Sequence, residues 1–286
     1  MYDTHSLIEQ QHIPLSLHTH TGVVQMTERD EFAYHEMMTH LALCSVRRAS
    51  HVLIVGGGDG GVVQQILRHY GNELASITIV EIDPAVVQVA SQFFPGAAAA
   101  FADPRVTVVH MDAAQFLLQQ QPQQHYYQVI LLDSSDPVGP AASLFSPDFY
   151  ESMHHALCPT TGGIVCAQAE CCWIHLDLIA DLLTCCRRDL FDAAAYASTL
   201  VPTYPCGQLG FVVAARRRHQ GSSSIRVPVR SVPYHADRLR YYSTAVHTAA
   251  FVLPRFVEDV LQNDTAEEAA AMMTRDECCF PRCAIQ

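Results

Sequence analysis

The sequence predicts an α/β fold built on a doubly wound, mostly parallel sheet. From about residue 50, short apolar runs alternate with amphipathic stretches, a pattern typical of repeated β–α units. A glycine-rich turn, GGGDGG at 56–61, lies between the first apolar run and the first amphipathic stretch, and acidic residues follow the later runs. Since parallel strands end at one edge of the sheet, these features predict a ligand site at that edge.

The elements of this sheet are predicted in order along the chain. Strands are expected within HVLIV (51–55), SITIVEID (76–83), VTVVHMD (106–112), YQVILLD (127–133) and GGIVCAQAE (162–170). Helices are expected over 62–70, 113–121 and 174–186, and Pro84 suits the first turn of another because that turn does not need its N–H. The runs 194–200 and 209–215 are expected to close the sheet as an antiparallel pair.

The two ends of the chain are less regular. Helices are expected over 30–43 and 249–261, and the Gly, Ser and Pro content of 216–233 predicts a loop. We therefore divide the chain into an N-terminal remnant with a linking helix (1–48), a catalytic domain (49–262) and a loosely ordered tail (263–286).

Composition limits the classes of function. The net charge is -12 and all 17 basic residues are arginine, which argues against nucleic-acid binding and permits a cationic small substrate. Eleven cysteines, an odd number that includes adjacent pairs, favour reduced thiols in a cytoplasmic protein, since no secretory signal is recognised. Neither a metal site nor a membrane span is predicted.

The glycine-rich turn predicts a nucleotide pocket. Glycines at Gly56, Gly58 and Gly60 let the chain turn sharply and let a ligand approach the backbone closely. No Lys-Ser/Thr pair follows, so the turn is not a triphosphate-binding loop. Taken alone, such a turn is weak evidence for a ligand, because a tight β–α connection that binds nothing is the alternative.

Acids at the strand ends favour the ligand-binding interpretation. Glu81 follows the second strand about 20 residues after the turn, where an acid that accepts two ribose hydroxyls is expected. Asp112 closes the third strand, where it could contact an adenine amino group, and Asp133 closes the fourth. Asp59, within the turn itself, is predicted to hold an ammonium of the cofactor.

Seven segments together carry a family resemblance. They are TERDEFAYHE, VLIVGGGDGGVV, EIDPAVVQVASQFFPG, DSSDPVGPAASLF, QAECCWIHLDLI, VPTYPCGQLGF and YYSTAVHTAAFVLPRF. In this order they closely resemble the spermidine synthase branch of the aminopropyltransferases, from about Gly22 to Arg216 and again from Tyr241 to about Leu261. The resemblance implies a Rossmann-like sheet of the S-adenosylmethionine methyltransferase type, preceded by a small β-domain, and a homodimer.

The same resemblance implies the reaction. Such enzymes transfer an aminopropyl group from decarboxylated S-adenosylmethionine, a co-substrate rather than a resident cofactor, to putrescine, giving spermidine and methylthioadenosine. A sulfonium carbon is already an electrophile, so the protein must mainly align the amine and remove its proton. Asp133, at the strand end nearest the cofactor, is the predicted base.

Further site residues follow from the resemblance. Asp136 could hold either nitrogen of the diamine, and Tyr34, Tyr204 and Gln168 would complete the amine channel. His35 stands where many relatives carry glutamine. Additional cofactor contacts are expected from Gln25, His35, Ala113 and Pro140.

Three departures from the family pattern accompany the match. About 21 residues precede Gly22, so the β-domain is expected to be truncated. The usual GDG reads MDA at 111–113, and QGE reads QAE with Ala169. If those glycines served a positive φ or a close approach to the ligand, the new side chains would crowd the site.

Two other functions therefore remain open beside an active spermidine synthase. One is a weakly active or non-catalytic paralogue that regulates such an enzyme as a related subunit. The other is a putrescine N-methyltransferase using ordinary S-adenosylmethionine. Asp59 favours the decarboxylated cofactor, because a carboxylate facing the methionine tail would repel a second carboxylate.

Overall fold

The computed structural model describes residues 15–18, 24–119, 126–134, 143–187, 190–216 and 225–262. The strands among these residues are β1 (Ser16–His18), β2 (Val24–Thr27), β3 (His51–Gly56), β4 (Ser76–Val80), β5 (Val106–Val109), β6 (Val129–Asp133), β7 (Gly163–Gln168), β8 (Ala193–Leu200) and β9 (Gln208–Arg216). The helices are α1 (Glu31–Leu43), α2 (Gly61–Tyr70), α3 (Pro84–Phe93), α4 (Pro95–Phe101), α5 (Ala113–Gln119), α6 (Pro147–Ala156), α7 (Leu176–Arg187), α8 (Thr244–Ala249) and α9 (Arg255–Gln262).

Seven strands form one sheet in the order β5-β4-β3-β6-β7-β9-β8. The first five of these are mutually parallel, and β9 pairs antiparallel with both β7 and β8. The predicted doubly wound, mostly parallel sheet and its closing antiparallel pair are confirmed. The chain order reverses between β3 and β6, which is the point where open α/β sheets bind their ligands.

The central strands are buried on both faces, which explains their continuous apolar sequences. In β3, residues 52–55 are at most 1% exposed, and residues 129–132 of β6 are fully buried. Side chains from the two sheet faces enter two separate hydrophobic clusters. Helix α1 supplies Met37, Met38 and Leu41 to one of them, so this helix packs directly on the sheet that carries the site.

The sequence prediction was wrong about the helix at 249–261. The structure has α8, a break, and then α9, which begins directly after Pro254. Proline disfavours helical geometry in the residue before it and has no N–H to donate, so it can begin α9 but cannot continue a helix through this position. Helices α4 and α6 were not predicted, although Ser146 before Pro147 is a recognisable start signal: the Ser146 hydroxyl accepts from the Phe149 N–H at 3.3 Å.

A two-stranded antiparallel sheet, β1 with β2, precedes the main fold. Residues 1–14 and 19–23 lie outside the described part, as do 217–224 of the predicted loop and the tail at 263–286. The three domain boundaries therefore stay predictions. Within the described ranges, no helix combines the length and apolar character that crossing a membrane requires.

Candidate functional site

The glycine-rich turn and Asp133 meet at the carboxyl edge of β3 and β6. Gly56 is in register with Asp133, and the Gly57 N–H donates to the Asp133 carbonyl at 3.0 Å. Gly56 has φ +79°, and a Cβ on it would lie 2.0 Å from that carbonyl oxygen. Only glycine therefore fits where the turn crosses Asp133.

The Asp133 carboxylate is held at one oxygen and open at the other. The Tyr34 hydroxyl donates to Oδ1 at 2.5 Å, while Oδ2 is buried without a hydrogen-bond partner among the described residues. Burial and repulsion from Asp59 raise the pKa of Asp133 to about 7, against the opposing effects of His35 and Tyr34. A carboxyl group with a pKa near the working pH is suited to accept a proton and release it again.

Tyr34, whose hydroxyl contacts Asp133, stacks on a second aromatic ring, that of Tyr204. The rings of Tyr34 and Tyr204 are stacked with centroids 6.0 Å apart. They line a cavity between β2, the start of α1 and the loop after β8; its walls are formed by Val24, Gln25, Met26, Thr27, Asp30, Glu31, Tyr34, His35, Val201, Thr203 and Tyr204. The Asp30 carboxylate accepts from the Thr203 N–H at 2.9 Å and joins the two walls. The structure thus brings Gln25, Tyr34, His35 and Tyr204 together.

Glu81 lies against the glycine turn, as the sequence predicted. A Cβ on Gly58 would be 2.8 Å from Glu81 Oε2, so the glycine leaves the space that this carboxylate fills. Glu81 Oε1 accepts from the Asp83 N–H at 2.9 Å, and burial raises the pKa of Glu81. Its second oxygen stays beside the turn.

Asp112 lies further along the same edge. It follows β5, the outermost parallel strand, and its side chain accepts from the Gln115 N–H at 2.9 Å at the start of α5. Ala113 is the first residue of α5 and is 7% exposed. Asp112 therefore has a structural task, capping α5, and retains a second carboxylate oxygen.

Gln168 ends β7, the neighbour of β6 on the side away from β3. Leu132 pairs with Ala167, so Gln168 lies one strand across from Asp133. Its amide N–H donates to Glu170 Oε1 at 3.2 Å, and its buried carbonyl oxygen has no hydrogen-bond partner within the described ranges.

His35 is buried between two carboxylates. Its Nδ1 lies 2.5 Å from Glu31 Oε2, its Nε2 lies 3.4 Å from Asp59 Oδ2, and the ring is 2% exposed. Burial opposes protonation, but Asp59 and Glu31 outweigh it and hold the pKa of His35 well above its usual value. Sequence reasoning missed Glu31; the i, i+4 spacing of Glu31 and His35 on one helix was the available signal.

The alanine and methionine departures introduce no backbone strain. Among the described residues, the non-glycine positions with positive φ are Glu170, Cys206 and His235. Met111, Ala113 and Ala169 adopt no such conformation, so the expected conflict with a left-handed backbone does not arise there. Ala169 is fully buried and its N–H donates to the Gly210 carbonyl at 2.9 Å.

Two predicted site residues, Asp136 and Pro140, lie in the stretch 135–142 outside the described residues. The described residues contain no group of three or more His, Cys, Asp or Glu side chains arranged to bind a metal ion.

Comparison with known proteins gives one consistent result. Residues 31–222 match the family model for the spermine/spermidine synthase domain. Spermidine synthase 2 of Arabidopsis thaliana is 44% identical over 247 residues, 85% of this chain and 71% of that protein. Spermidine synthase of Coffea arabica is 43% identical over 249 residues, 85% of this chain and 76% of that protein.

Solved structures agree with these relatives. The crystal structure of spermidine synthase in complex with the transition state analogue AdoDATO aligns with a TM-score of 0.75 and 28% identity, covering 84% of this chain and 79% of that one. Spermidine synthase from Thermotoga maritima aligns with a TM-score of 0.73 and 28% identity, covering 84% of this chain and 78% of that one.

Proposed function

Because this chain belongs to the spermidine synthase family and is an aminopropyltransferase, we propose that it makes spermidine. The aminopropyl group of decarboxylated S-adenosylmethionine is transferred to putrescine, and methylthioadenosine is released. A related spermidine synthase of the same fold binds the transition state analogue AdoDATO, which supports a site built for both substrates at once.

The observation that carries this proposal is the environment of Asp133. The amine nitrogen forms a bond to the carbon beside the sulfonium while the carbon–sulfur bond breaks, and the sulfur leaves as a neutral thioether. An alkylammonium has no lone pair until it loses a proton, and free amines of this type lose it near pH 10. Asp133 Oδ2 is buried and unpaired within the described residues, and it would accept that proton.

The cofactor would lie across the glycine turn. The cofactor is proposed to contact the turn at Gly56, Gly58 and Gly60, whose missing side chains let the backbone lie against Asp133, Glu81 and Ala97. Glu81 would accept the ribose hydroxyls through its oxygen beside Gly58. Asp112 would receive the adenine amino group on its free oxygen. Further contacts are proposed for Gln25, His35, Ala113 and Pro140.

The amine would occupy the cavity beside Tyr34 and Tyr204. Their stacked rings offer apolar surface to the methylene chain, and the unpaired Gln168 carbonyl oxygen suits an ammonium. Asp136 is proposed as the partner of a terminal nitrogen. With these groups, the protein holds both ends of a diamine while Asp133 acts on the attacking one.

Asp59 supports the decarboxylated cofactor over ordinary S-adenosylmethionine. It lies in the turn, and its pKa is lowered, since His35 and the Gly61 N–H outweigh its burial. An ionised carboxylate there attracts the ammonium of an aminopropyl chain and repels the carboxylate of a methionine chain.

One assay distinguishes the candidate functions. The purified protein is incubated with putrescine and either form of the cofactor, and the products are followed by mass spectrometry. Spermidine formed from the decarboxylated cofactor is the expected result. N-methylputrescine would instead identify a methyltransferase, and absence of turnover together with stimulation of an active synthase would identify a regulatory subunit.

We also propose a cytoplasmic homodimer, as the resemblance to spermidine synthases implies. Light scattering coupled to size exclusion should give twice the chain mass of 31.6 kDa, and a monomer mass at micromolar concentration would contradict the dimer.

A further inference from the structure

The imidazole of His35 fills a space that the chain leaves open for it. A Cβ on Gly61 would lie 2.0 to 2.3 Å from three atoms of this ring. Gly61 is the first residue of α2, where most side chains would fit the helix itself, so the requirement for glycine comes from the ring. The ring is thereby held between α1 and the glycine turn.

A carboxylate lies close to each nitrogen of this ring. Glu31, one turn earlier on α1, lies 2.5 Å from Nδ1, and Asp59 of the turn lies 3.4 Å from Nε2. A neutral imidazole has only one N–H, so it could donate to one of these acceptors and would present a lone pair to the other. Two acceptors on opposite sides of a buried ring match an imidazolium, which donates from both nitrogens.

We propose that His35 is a positioning residue of this enzyme: an imidazolium at neutral pH that orients Asp59 toward the cofactor ammonium and keeps the acidic edge ionised. The inference rests on the proposed function, because the carboxylates it acts upon are those assigned to the cofactor and the amine.

The charged and titratable groups facing His35 come from three elements. Helix α1 contributes Glu31 and the Tyr34 ring, whose centroid is 5.4 Å from that of His35. The glycine turn contributes Asp59, and β6 contributes Asp133, whose pKa His35 lowers. Glu81, beyond the turn, raises the pKa of Asp133. His35 is the cation in this group, which otherwise contains carboxylates and a phenol.

This arrangement has a consequence for the rate. Without the imidazolium, Asp59 and Asp133 would repel each other across a poorly solvated site, and one or both would bind a proton at a higher pH. A protonated Asp59 loses its attraction for the cofactor, and a protonated Asp133 cannot act as the base. In either case, the pH range in which Asp59 and Asp133 are both ionised, and the enzyme is active, moves to higher pH.

The test compares the wild-type enzyme with His35→Gln, a neutral side chain of similar reach. The dependence of kcat/KM on pH reports the groups of the free enzyme. We expect the rising limb of the profile to move up by about one pH unit in the variant, so that kcat/KM falls about tenfold at acid pH and recovers near pH 9. A loss by the same factor at every pH would mean a merely structural role and would overturn the proposal.

A second measurement does not depend on turnover. Nitrogen-15 NMR of histidine-labelled protein, with His35 assigned by its absence in His35→Gln, should show both ring nitrogens protonated at pH 7.5. Glu31→Gln, which retains the ring and Asp59, should lower the midpoint at which that signal titrates. A neutral ring at pH 7.5 would overturn the proposal even if the variant folds poorly.

The exposed His155 on α6 provides a matched control, since His155→Gln removes an imidazole from the surface and should leave the kcat/KM profile unchanged. If the wild-type protein transfers no aminopropyl group, the proposed function fails, and the NMR titration of His35 alone then decides this inference.

Discussion

Helix α1 carries two buried histidines whose pKa values are shifted in opposite directions. His35 is 2% exposed and His40 is fully buried, so both have lost nearly all contact with water. The carboxylates of Glu31 and Asp59 hold the pKa of His35 well above its usual value. Burial, reinforced by His69 and His247, holds the pKa of His40 well below it.

The surroundings of His40 explain the difference. Its Nδ1 lies 2.8 Å from the Tyr70 hydroxyl, and its ring lies 4.9 Å from the Tyr242 ring, centroid to centroid. Tyr242 in turn shares a hydrogen bond of 2.9 Å with His247 Nδ1. Among the described residues no carboxylate is bonded to His40, so charging this ring would be costly. Burial alone therefore does not decide the direction in which a histidine pKa shifts, since the bonded partners of the ring decide it.

The largest effect should come from removing the proposed base, Asp133. Asp133→Asn preserves shape but cannot accept the amine proton, so we expect kcat to fall roughly 10²–10⁴-fold, the usual contribution of a general base. Affinity for methylthioadenosine, measured by calorimetry, should change little.

A matched control is Asp103→Asn, which removes a carboxylate paired with Arg105 in the loop before β5. It should leave kcat near the wild-type value. Near-normal turnover of Asp133→Asn would show that the chemistry does not depend on this carboxylate.

A smaller kinetic effect is expected from Tyr34→Phe. The Tyr34 hydroxyl lowers the pKa of Asp133, so its loss should raise that pKa above about 7. The ionised fraction of Asp133 then falls at neutral pH, and kcat/KM should drop up to about tenfold at pH 6.5 while recovering above pH 9. A pH profile identical to wild type would contradict the role of this hydrogen bond.

The buried histidine His247, near His40, should lower the free energy of unfolding at acid pH. The pKa of His247 is lowered to about 4 by burial, whereas an unfolded histidine titrates near 6.5. Below pH 6.5 the unfolded chain binds a proton that the folded state does not, so the contribution of His247 is present above that pH and is lost progressively toward pH 4. His247→Gln should flatten this dependence by about 2–3 kcal/mol between pH 7.5 and 4.5, measured by urea unfolding. An unchanged slope would show that His247 is charged in the folded state.

The smallest expected effect is on the pH dependence of folding stability at His35. Its sign is opposite to that expected at His247. The raised pKa of His35 stabilises the fold below pH 6.5, and this contribution is lost as pH rises through the folded-state pKa. His35→Gln should therefore destabilise the fold more at pH 6 than at pH 9.5, opposite in sign to His247→Gln. Denaturation at the two pH values gives the change in stability for both variants. Equal signs would show that His35 and His247 do not differ in protonation as described.

Much of the fold could be predicted from the sequence, because it depends on the local pattern of apolar and turn-forming residues. The central strands are continuous apolar runs, and the glycines at 56–61 indicate the turn. The prediction of one helix over 249–261 was wrong, because it followed the apolar pattern and ignored the break at Pro254. The prediction also omitted α4 and α6. The acids at Glu81, Asp112 and Asp133 were found by their position after strands, which the sheet topology then brought to one edge.

The sequence by itself determined the order of β–α units, the glycine turn and which carboxylates reach the ligand edge, because these follow from side-chain periodicity and short-range turn chemistry. Only the tertiary structure decided that β6 lies beside β3, that the Tyr34 hydroxyl contacts Asp133 across 99 positions of sequence, and that the pKa of His35 is raised while that of His40 is lowered. The physical reason is that electrostatic energies depend on distance and solvation in the folded chain, and neither can be read from the spacing of residues along it.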